Sequence, residues 1–201
     1  MSKEAIAHLS KADKVLARLI RKVGPCDWKP EKRTSPFEML VHAVVHQQLN
    51  GTAAGTILRR VKALYPGRSF PRPEDVLDTP DEKLRAAGLS RAKTAAIKDI
   101  SARTLDGVVP TSRAIARMDN EVILERLTSI RGVGPWTVEM LLMFKLGRMD
   151  VLPATDFGVR KGFALIYKLK ELPKPAELLE HGERWRPYRS IAAWYLWRAL
   201  D

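Results

Sequence analysis

Asp156 is the first residue of this chain whose type and setting suggest chemistry. It follows the proline-containing loop Asp150-Val151-Leu152-Pro153-Ala154-Thr155 and opens a helical pattern beginning at Phe157. The commonest work of an aspartate there is to cap the helix. A carboxylate held at a helix start can also stabilise positive charge developing on a sugar. No second carboxylate in the sequence pairs with it, and glycosidases that break sugar–oxygen bonds normally use a second one to protonate the leaving group. A leaving group that is already cationic needs no such acid. Asp150 lies nearer the end of the preceding helix, a more ordinary loop position.

Twenty residues before Asp156 stands Trp136, in Ser129-Ile130-Arg131-Gly132-Val133-Gly134-Pro135-Trp136-Thr137. The two glycines permit backbone conformations or close approaches that a β-carbon obstructs. Pro135 suits the first position of a helix, where its missing N–H leaves nothing unpaired. Backbone N–H groups and the positive end of a helix therefore face out of this turn, an arrangement that receives anions, phosphate above all. A plain helix–helix connector is the alternative. A dinucleotide-binding loop is excluded, since it needs a preceding strand and a third glycine. The following run, Trp136 to Phe144, has almost no polar face and must be buried. His42 and His46 share a helix face at a spacing of four, but no glutamate lies between them in the zinc-protease pattern and no third ligand is visible, so no metal is assigned to them.

The elements that must position these residues are helical. Ser35-Pro36-Phe37-Glu38 and Thr79-Pro80-Asp81-Glu82 both read as capping boxes, and Lys174-Pro175-Ala176-Glu177 keeps the proline and glutamate. Apolar residues fall at helical spacing behind them: Leu40, Val41, Val44 and Val45, then Ala92, Ala95, Ala96 and Ile100. Helices are predicted over 3–22, 36–49, 52–64, 73–77, 81–86, 91–105, 112–129, 135–147, 157–170 and 175–199, the last broken near Pro187. No alternating strand pattern or internal repeat stands out, so the class is all-α. No linker divides the chain, so any second lobe is built from non-contiguous helices.

The 201 residues carry 35 Lys and Arg against 23 Asp and Glu, a net charge of +12, and 45% hydrophobic residues support a packed core. Nucleic acid, an anionic membrane surface and acidic protein are the partners such a charge admits. No run of 18 apolar residues exists to span a bilayer, and residues 3–22 read as an amphipathic helix packed on the domain rather than a secretion signal. Cys26 is the single cysteine, which leaves no disulfide framework, four-cysteine iron–sulfur cluster or cysteine-based zinc site and fits an intracellular compartment.

The segments Leu127–Phe144, Asp150–Phe163 and Trp185–Arg198, together with Ser35–Ile57 and Ala86–Ser101, resemble in order the helix-hairpin-helix DNA glycosylases, in their alkylated-base (3-methyladenine) branch. The resemblance implies an all-helical, two-lobed fold with the active-site cleft between the lobes, one lobe being about 36–147 and the other about 1–35 plus 148–201. It implies a monofunctional enzyme that flips an alkylated purine out of duplex DNA and hydrolyses its glycosidic bond. A non-enzymatic hairpin module and a glycosylase for oxidised or mismatched bases are the alternatives. Asp156 becomes the catalytic carboxylate. Trp136 occupies the position where strand-cutting members carry a Schiff-base lysine, so no lyase activity is expected, and it lines the base pocket with Tyr188, Trp185, Phe37 and Gln47 as companions. Gln48 is the wedge that fills the gap in the duplex, with Asn50 beside it, although Asn50-Gly51 also reads as simple helix capping. Arg131, Gly132, Val133 and Gly134 contact DNA. The carbonyls of Thr128, Ile130 and Val133 match positions where the hairpin holds a monovalent cation, Na+ or K+; no other cofactor is implied. The partner is double-stranded DNA with alkylated bases, no membrane is involved, and a monomer is expected, in the nucleoid or nucleus according to the cell. His46 departs from the pattern, standing where a small residue is usual.

Overall fold

In the computed structural model, residues 3–31, 33–49 and 51–201 are described. All regular structure among them is helical: α1 (Lys3–Ala12), α2 (Lys14–Val23), α3 (Pro36–His46), α4 (Gly51–Ala63), α5 (Pro73–Asp78), α6 (Asp81–Ala86), α7 (Arg91–Leu105), α8 (Ser112–Ile115), α9 (Asn120–Thr128), α10 (Pro135–Phe144), α11 (Phe157–Tyr167), α12 (Pro175–Gly182) and α13 (Arg189–Arg198), with a 3-10 turn over Glu183–Trp185. Among the described residues no helix is long and apolar enough to cross a membrane. The chain forms two compact units, Glu31–Leu141 and a discontinuous one of Met1–Pro30 with Leu142–Asp201.

Local chemistry sets the helix boundaries, and several differ from the sequence expectation. The single helix expected over 3–22 is two, because the Asp13 side chain accepts the N–H groups of Val15 and Leu16 and starts a new helix. The expected helix 112–129 also divides, with Thr111 capping α8 and Asp119 in extended backbone before α9. Ser35 caps α3 through the Glu38 N–H as read, with Pro36 behind it. Thr79 does not cap α6. Its hydroxyl donates to the Asp75 carbonyl and pairs with the Tyr65 hydroxyl at 2.8 Å, and Pro80 takes the cap position instead. The break near Pro187 is present, the 3-10 turn and Tyr188 separating α12 from α13.

In the Glu31–Leu141 unit α7 is the central support, packing on α3 and α5. Its buried face is Thr94, Ala96, Ile97, Ile100 and Ser101; of the stripe the sequence suggested, Ala96 and Ile100 are buried, Ala95 is half-buried and Ala92 is exposed. Ser101 is tolerated there because its hydroxyl donates to the Ile97 carbonyl. Leu40, Val41, Val44 and Val45 of α3 fill the opposite side of this core, all essentially inaccessible. His42, on the same helix, has its pKa pulled down to about 4 by burial, with the charges of Lys62 and His46 adding to it, so the ring is neutral at pH 7.

In the discontinuous unit α11 packs on α13 and both pack on α2. The closest approach is at Gly162, where a β-carbon would fall 2.0 Å from the Leu196 carbonyl oxygen. Below this contact lies a buried polar knot around Asp13. Its Oδ2 accepts from the hydroxyl of Tyr167, from His181 Nε2 at 3.1 Å and from Trp185 Nε1 at 3.0 Å. Burial alone would raise the carboxyl pKa, but the donors from His181, Tyr167, Leu16 and Trp185 outweigh it and hold the group well below the usual carboxylate range. The knot therefore ties the α1–α2 corner to α11, α12 and the 3-10 turn. A carboxylate whose folded pKa is depressed contributes stability above its unfolded pKa, about 3.9, and loses it as pH falls through the folded value. Asp13→Asn is expected to lower unfolding stability by about 1.5–3 kcal/mol at neutral pH. The gap to wild type should narrow below roughly pH 4 in urea titrations. A gap independent of pH would show that the charge is not what stabilises the knot.

Candidate functional site

The turn between α9 and α10 is held from behind by α7. Gly132 has φ +76°, and a β-carbon on it would lie 2.5 Å from the β-carbon of Ala96. The Arg131 N–H donates to Asp99 Oδ2 at 2.8 Å, and the Val133 N–H closes the turn on the Ile130 carbonyl at 3.1 Å. Ile130 and Val133 point inward and are buried, while the Arg131 side chain is exposed. Gly134 is different from Gly132: nothing lies within 4 Å of where its β-carbon would be, and its backbone is not left-handed. Among the described residues the N–H groups of Gly132 and Gly134 have no protein acceptor. Behind them α10 is buried at Thr137, Val138, Met140, Leu141, Leu142 and Met143. Trp136 is only half-buried, as are Glu139 and Phe144, so the run is not hidden throughout.

The turn after α3 lies against the same hairpin. Gln47 donates both amide protons into it, to the Gly132 carbonyl at 3.0 Å and to Thr137 Oγ1 at 2.9 Å. Both amide protons of Gln47 are thus taken up by protein acceptors. Lys93 of α7 reaches across to the C-terminal end of α3 and donates to the carbonyls of Val45 and Gln47, each at 2.8 Å. Burial lowers the Lys93 pKa. Gln48 follows with φ +57° and an exposed side chain. The left-handed residue that ends α3 is thus Gln48, a role glycine or asparagine usually fills. Asn50 lies outside the described residues. His46, the departure noted in the sequence, bonds through Nδ1 to the His42 carbonyl at 2.8 Å.

Asp156 sits at the head of α11 on a rigid base. Val151, Leu152 and Ala154 of the preceding loop are buried, and Ser190 accepts the Val151 N–H at 2.9 Å while donating to the Arg148 carbonyl. Asp156 Oδ1 accepts the Val159 N–H at 2.7 Å, the expected cap, and also the indole N–H of Trp197 at 2.8 Å. That second bond depends on Gly158, where a β-carbon would lie 2.8 Å from Trp197 Cδ1 and 3.1 Å from Asp156 Oδ1. The Trp197 ring continues into Phe144 and Trp28, with centroids 5.8 and 6.5 Å apart in turn. Trp197 was missed by the sequence reading because nothing local marks it. The spacing of Gly158 and Gly162, two small residues four apart on one helix, was a signal of close helix approach. Asp150, the competing carboxylate, is bound by Arg186 at 2.7 Å and Arg189 at 2.6 Å and serves as an anchor for α13.

The remaining aromatic candidates divide. Trp185 is fully buried with its N–H on Asp13, so it is a core residue and cannot meet a base; the pocket assignment is corrected. Phe37 is buried against Phe70 in an edge-on contact with centroids 6.0 Å apart, again a core position. Tyr188 is half-buried, edge-on to His8 at 5.4 Å and in contact with Glu4. Thr128 turns its hydroxyl back onto the Leu124 and Glu125 carbonyls. Among the described residues no group of three or more His, Cys, Asp or Glu side chains is gathered to hold a metal.

A turn with outward backbone donors, followed by a capped carboxylate on the next helix, can be compared with known proteins. The model of the HhH-GPD superfamily of base excision DNA repair proteins matches residues 41–187. The chain belongs to this superfamily. Among HhH-GPD relatives, DNA-3-methyladenine glycosylase 1 of Schizosaccharomyces pombe is 40% identical over 97% of this chain and 86% of its own length. The alkylbase DNA glycosidase-like protein mag2 of the same yeast is 33% identical over 98% of this chain and 92% of its own. Of solved HhH-GPD structures, the S. pombe 3-methyladenine DNA glycosylase in complex with abasic DNA superposes with a TM-score of 0.92 over 98% of this chain and 96% of that one, at 40% identity. The DNA-3-methyladenine glycosidase of Bacillus halodurans gives 0.81 over 98% and 89%, at 34% identity.

The two hairpin glycines are predicted to separate fold from ligand. Gly132→Ala should cost about 1–3 kcal/mol in denaturant titration, as overpacking does. Gly134→Ala should stay within about 0.5 kcal/mol of wild type and weaken binding to duplex DNA. Equal losses of stability in the two variants would contradict this division.

Proposed function

We propose that this HhH-GPD protein is a monofunctional DNA glycosylase that hydrolyses the N-glycosidic bond of alkylated purines, of the 3-methyladenine and 7-methylguanine type, flipped from duplex DNA. The observation that carries the reading is Asp156 Oδ1, fixed by the Val159 N–H and the Trp197 indole at the head of α11. The names of the relatives support the substrate class. In the reaction the bond from the sugar C1′ to the base nitrogen breaks, and its electron pair leaves with the base. An alkylated purine starts as a cation and so departs neutral, which relieves the enzyme of a second carboxylic acid. Asp156 stabilises the oxocarbenium-like sugar, and water adds at C1′ with loss of its proton. A carboxylate placed beforehand where charge develops is the form of catalysis that needs no reorganisation.

The other residues take supporting parts. Trp136 offers an aromatic face to the cationic base, an attraction of about 0.5–2 kcal/mol, and Tyr188 offers a second aromatic ring. With tryptophan rather than lysine at 136 no amine is placed to form a Schiff base. The N–H groups of Gly132 and Gly134 and the charge of Arg131 receive phosphate. Gln48, with Asn50 beside it, is the wedge that replaces the flipped nucleotide. A monovalent cation would sit on the carbonyls of Thr128, Ile130 and Val133. The fit is electrostatic, since these groups follow the negative end of α9, and Ile130 retains one lone pair after accepting from Val133. The protein acts as a monomer on DNA inside the cell, and the net charge of +12 makes binding strongly salt-dependent.

Asp156→Asn keeps an oxygen for the Val159 N–H, and asparagine caps as well as aspartate. The variant should therefore fold and bind abasic DNA like wild type, while base release falls by about 10²–10³-fold or more. Mass spectrometry of bases freed from methylated duplex reads the outcome. Wild-type-like release by the variant would remove Asp156 from the mechanism, and no release by the wild-type protein would favour a binding module.

A further inference from the structure

Three residues on one face of α7 hold the two segments assigned to DNA, the Gln48 turn and the hairpin. Lys93, Ala96 and Asp99 are spaced three apart and share a side of the helix. Lys93 binds the end of α3 through the Val45 and Gln47 carbonyls. Ala96 fills the space beneath Gly132, and Asp99 takes the Arg131 N–H. The loop of contacts is closed by Gln47, whose amide runs from the wedge turn to the Gly132 carbonyl and the Thr137 hydroxyl.

This arrangement accounts for Gln48. A non-glycine residue in left-handed backbone is costly and persists only where its surroundings over-determine it. Here both flanks are fixed: the preceding carbonyls by the half-buried Lys93 ammonium group, and the Gln47 side chain by the hairpin. The last carbonyls of a helix lack intrahelical partners, and a cation there also meets the negative end of the dipole. A wedge driven between stacked bases must also push against something. Through α7 and Gln47 the wedge turn is braced on the turn that grips phosphate.

We propose that Lys93, acting with Gln47 and the α7 face of Ala96 and Asp99, is a positioning residue for base flipping, which locks the Gln48 turn to the hairpin so that wedge insertion and phosphate grip operate as one rigid unit. The proposal rests on the glycosylase reading. Lys93 touches neither the base nor the reacting sugar. Its contribution is to the unstacking step, and it should fade when there is no stack to open.

The test is single-turnover release of 7-methylguanine from duplex and from single-stranded oligonucleotide of the same sequence. Lys93→Met should slow duplex release tenfold or more and change single-strand release less than twofold. Lys93→Arg, which restores donors to both carbonyls, should stay within threefold of wild type. Gln47→Leu, a second break in the same brace, should reproduce the duplex-specific loss if Lys93→Met does not fold. Adding Lys93→Met to Gln48→Ala should slow duplex release little beyond Gln48→Ala alone. Wild-type duplex rates in both Lys93→Met and Gln47→Leu would overturn the proposal, as would equal slowing on duplex and single strand. Absence of release by the wild-type protein would overturn the glycosylase reading instead. The brace is then judged by 2-aminopurine fluorescence in bound duplex, where Lys93→Met must reduce the rise on binding and an unchanged rise overturns it.

Discussion

Every helix begins with N–H groups and ends with carbonyls that its own backbone cannot satisfy. In a protein built only of helices these ends are the sole regular source of oriented backbone polarity, and the features assigned to function all sit on them. Asp156 is the cap of α11. The donors of Gly132 and Gly134 precede α10. The turn carrying Gln48 forms where Lys93 takes the carbonyls at the end of α3. Elsewhere the same need is met for structure alone, by Asp13 at α2, Ser35 at α3 and Ser90 at α7. The residues proposed for function are thus drawn from the same helix ends that elsewhere serve the fold alone.

What brings these ends to a usable position is contact too close for ordinary side chains. Gly132 on Ala96, Gly162 on the Leu196 carbonyl and Gly158 beside Trp197 are three places where a β-carbon would collide with a neighbour that has little room to move. Each lies next to a site residue. The first sets the hairpin on α7, and the other two set α11 on α13 so that the Trp197 N–H reaches Asp156. Close packing transmits position well because interiors are dense and yield little. A residue such as Leu196 therefore has consequences at Asp156 without touching it.

The sequence carries the helices plainly, because the apolar spacing of Leu40, Val41, Val44 and Val45 and the cap at Ser35 are local facts. The hairpin and Asp156 are legible for the same reason: glycine, proline and an aspartate at a helix start announce backbone geometry. What fails is what depends on partners far away in the chain. Trp185 resembles an exposed aromatic until Asp13, which lies 172 residues away, takes its N–H. Nothing near Gln47 announces that its amide protons go to the Gly132 carbonyl and Thr137, 85 and 90 residues away. Helix 3–22 reads as continuous because its apolar stripe runs past Asp13, whose break of the helix is local but whose burial is decided by Tyr167, His181 and Trp185. Trp197 carries no local mark at all.

These distant partnerships divide like residues into pairs with different work. Gln47 is engaged within the protein and Gln48 is turned outward. Gly132 is required by Ala96, whereas Gly134 faces open space. Asp150 is paired with Arg186 and Arg189, whereas Asp156 Oδ1 accepts a backbone N–H and an indole N–H. The last contrast bears directly on mechanism. A carboxylate joined to two guanidinium groups has its field largely cancelled at any nearby sugar. A backbone N–H and an indole N–H orient a carboxylate oxygen through directed donors that carry no formal charge. Capping α11 requires only an oxygen of the right reach, which asparagine supplies as well, so Asp156→Asn separates the charge at position 156 from the part this residue plays in starting the helix.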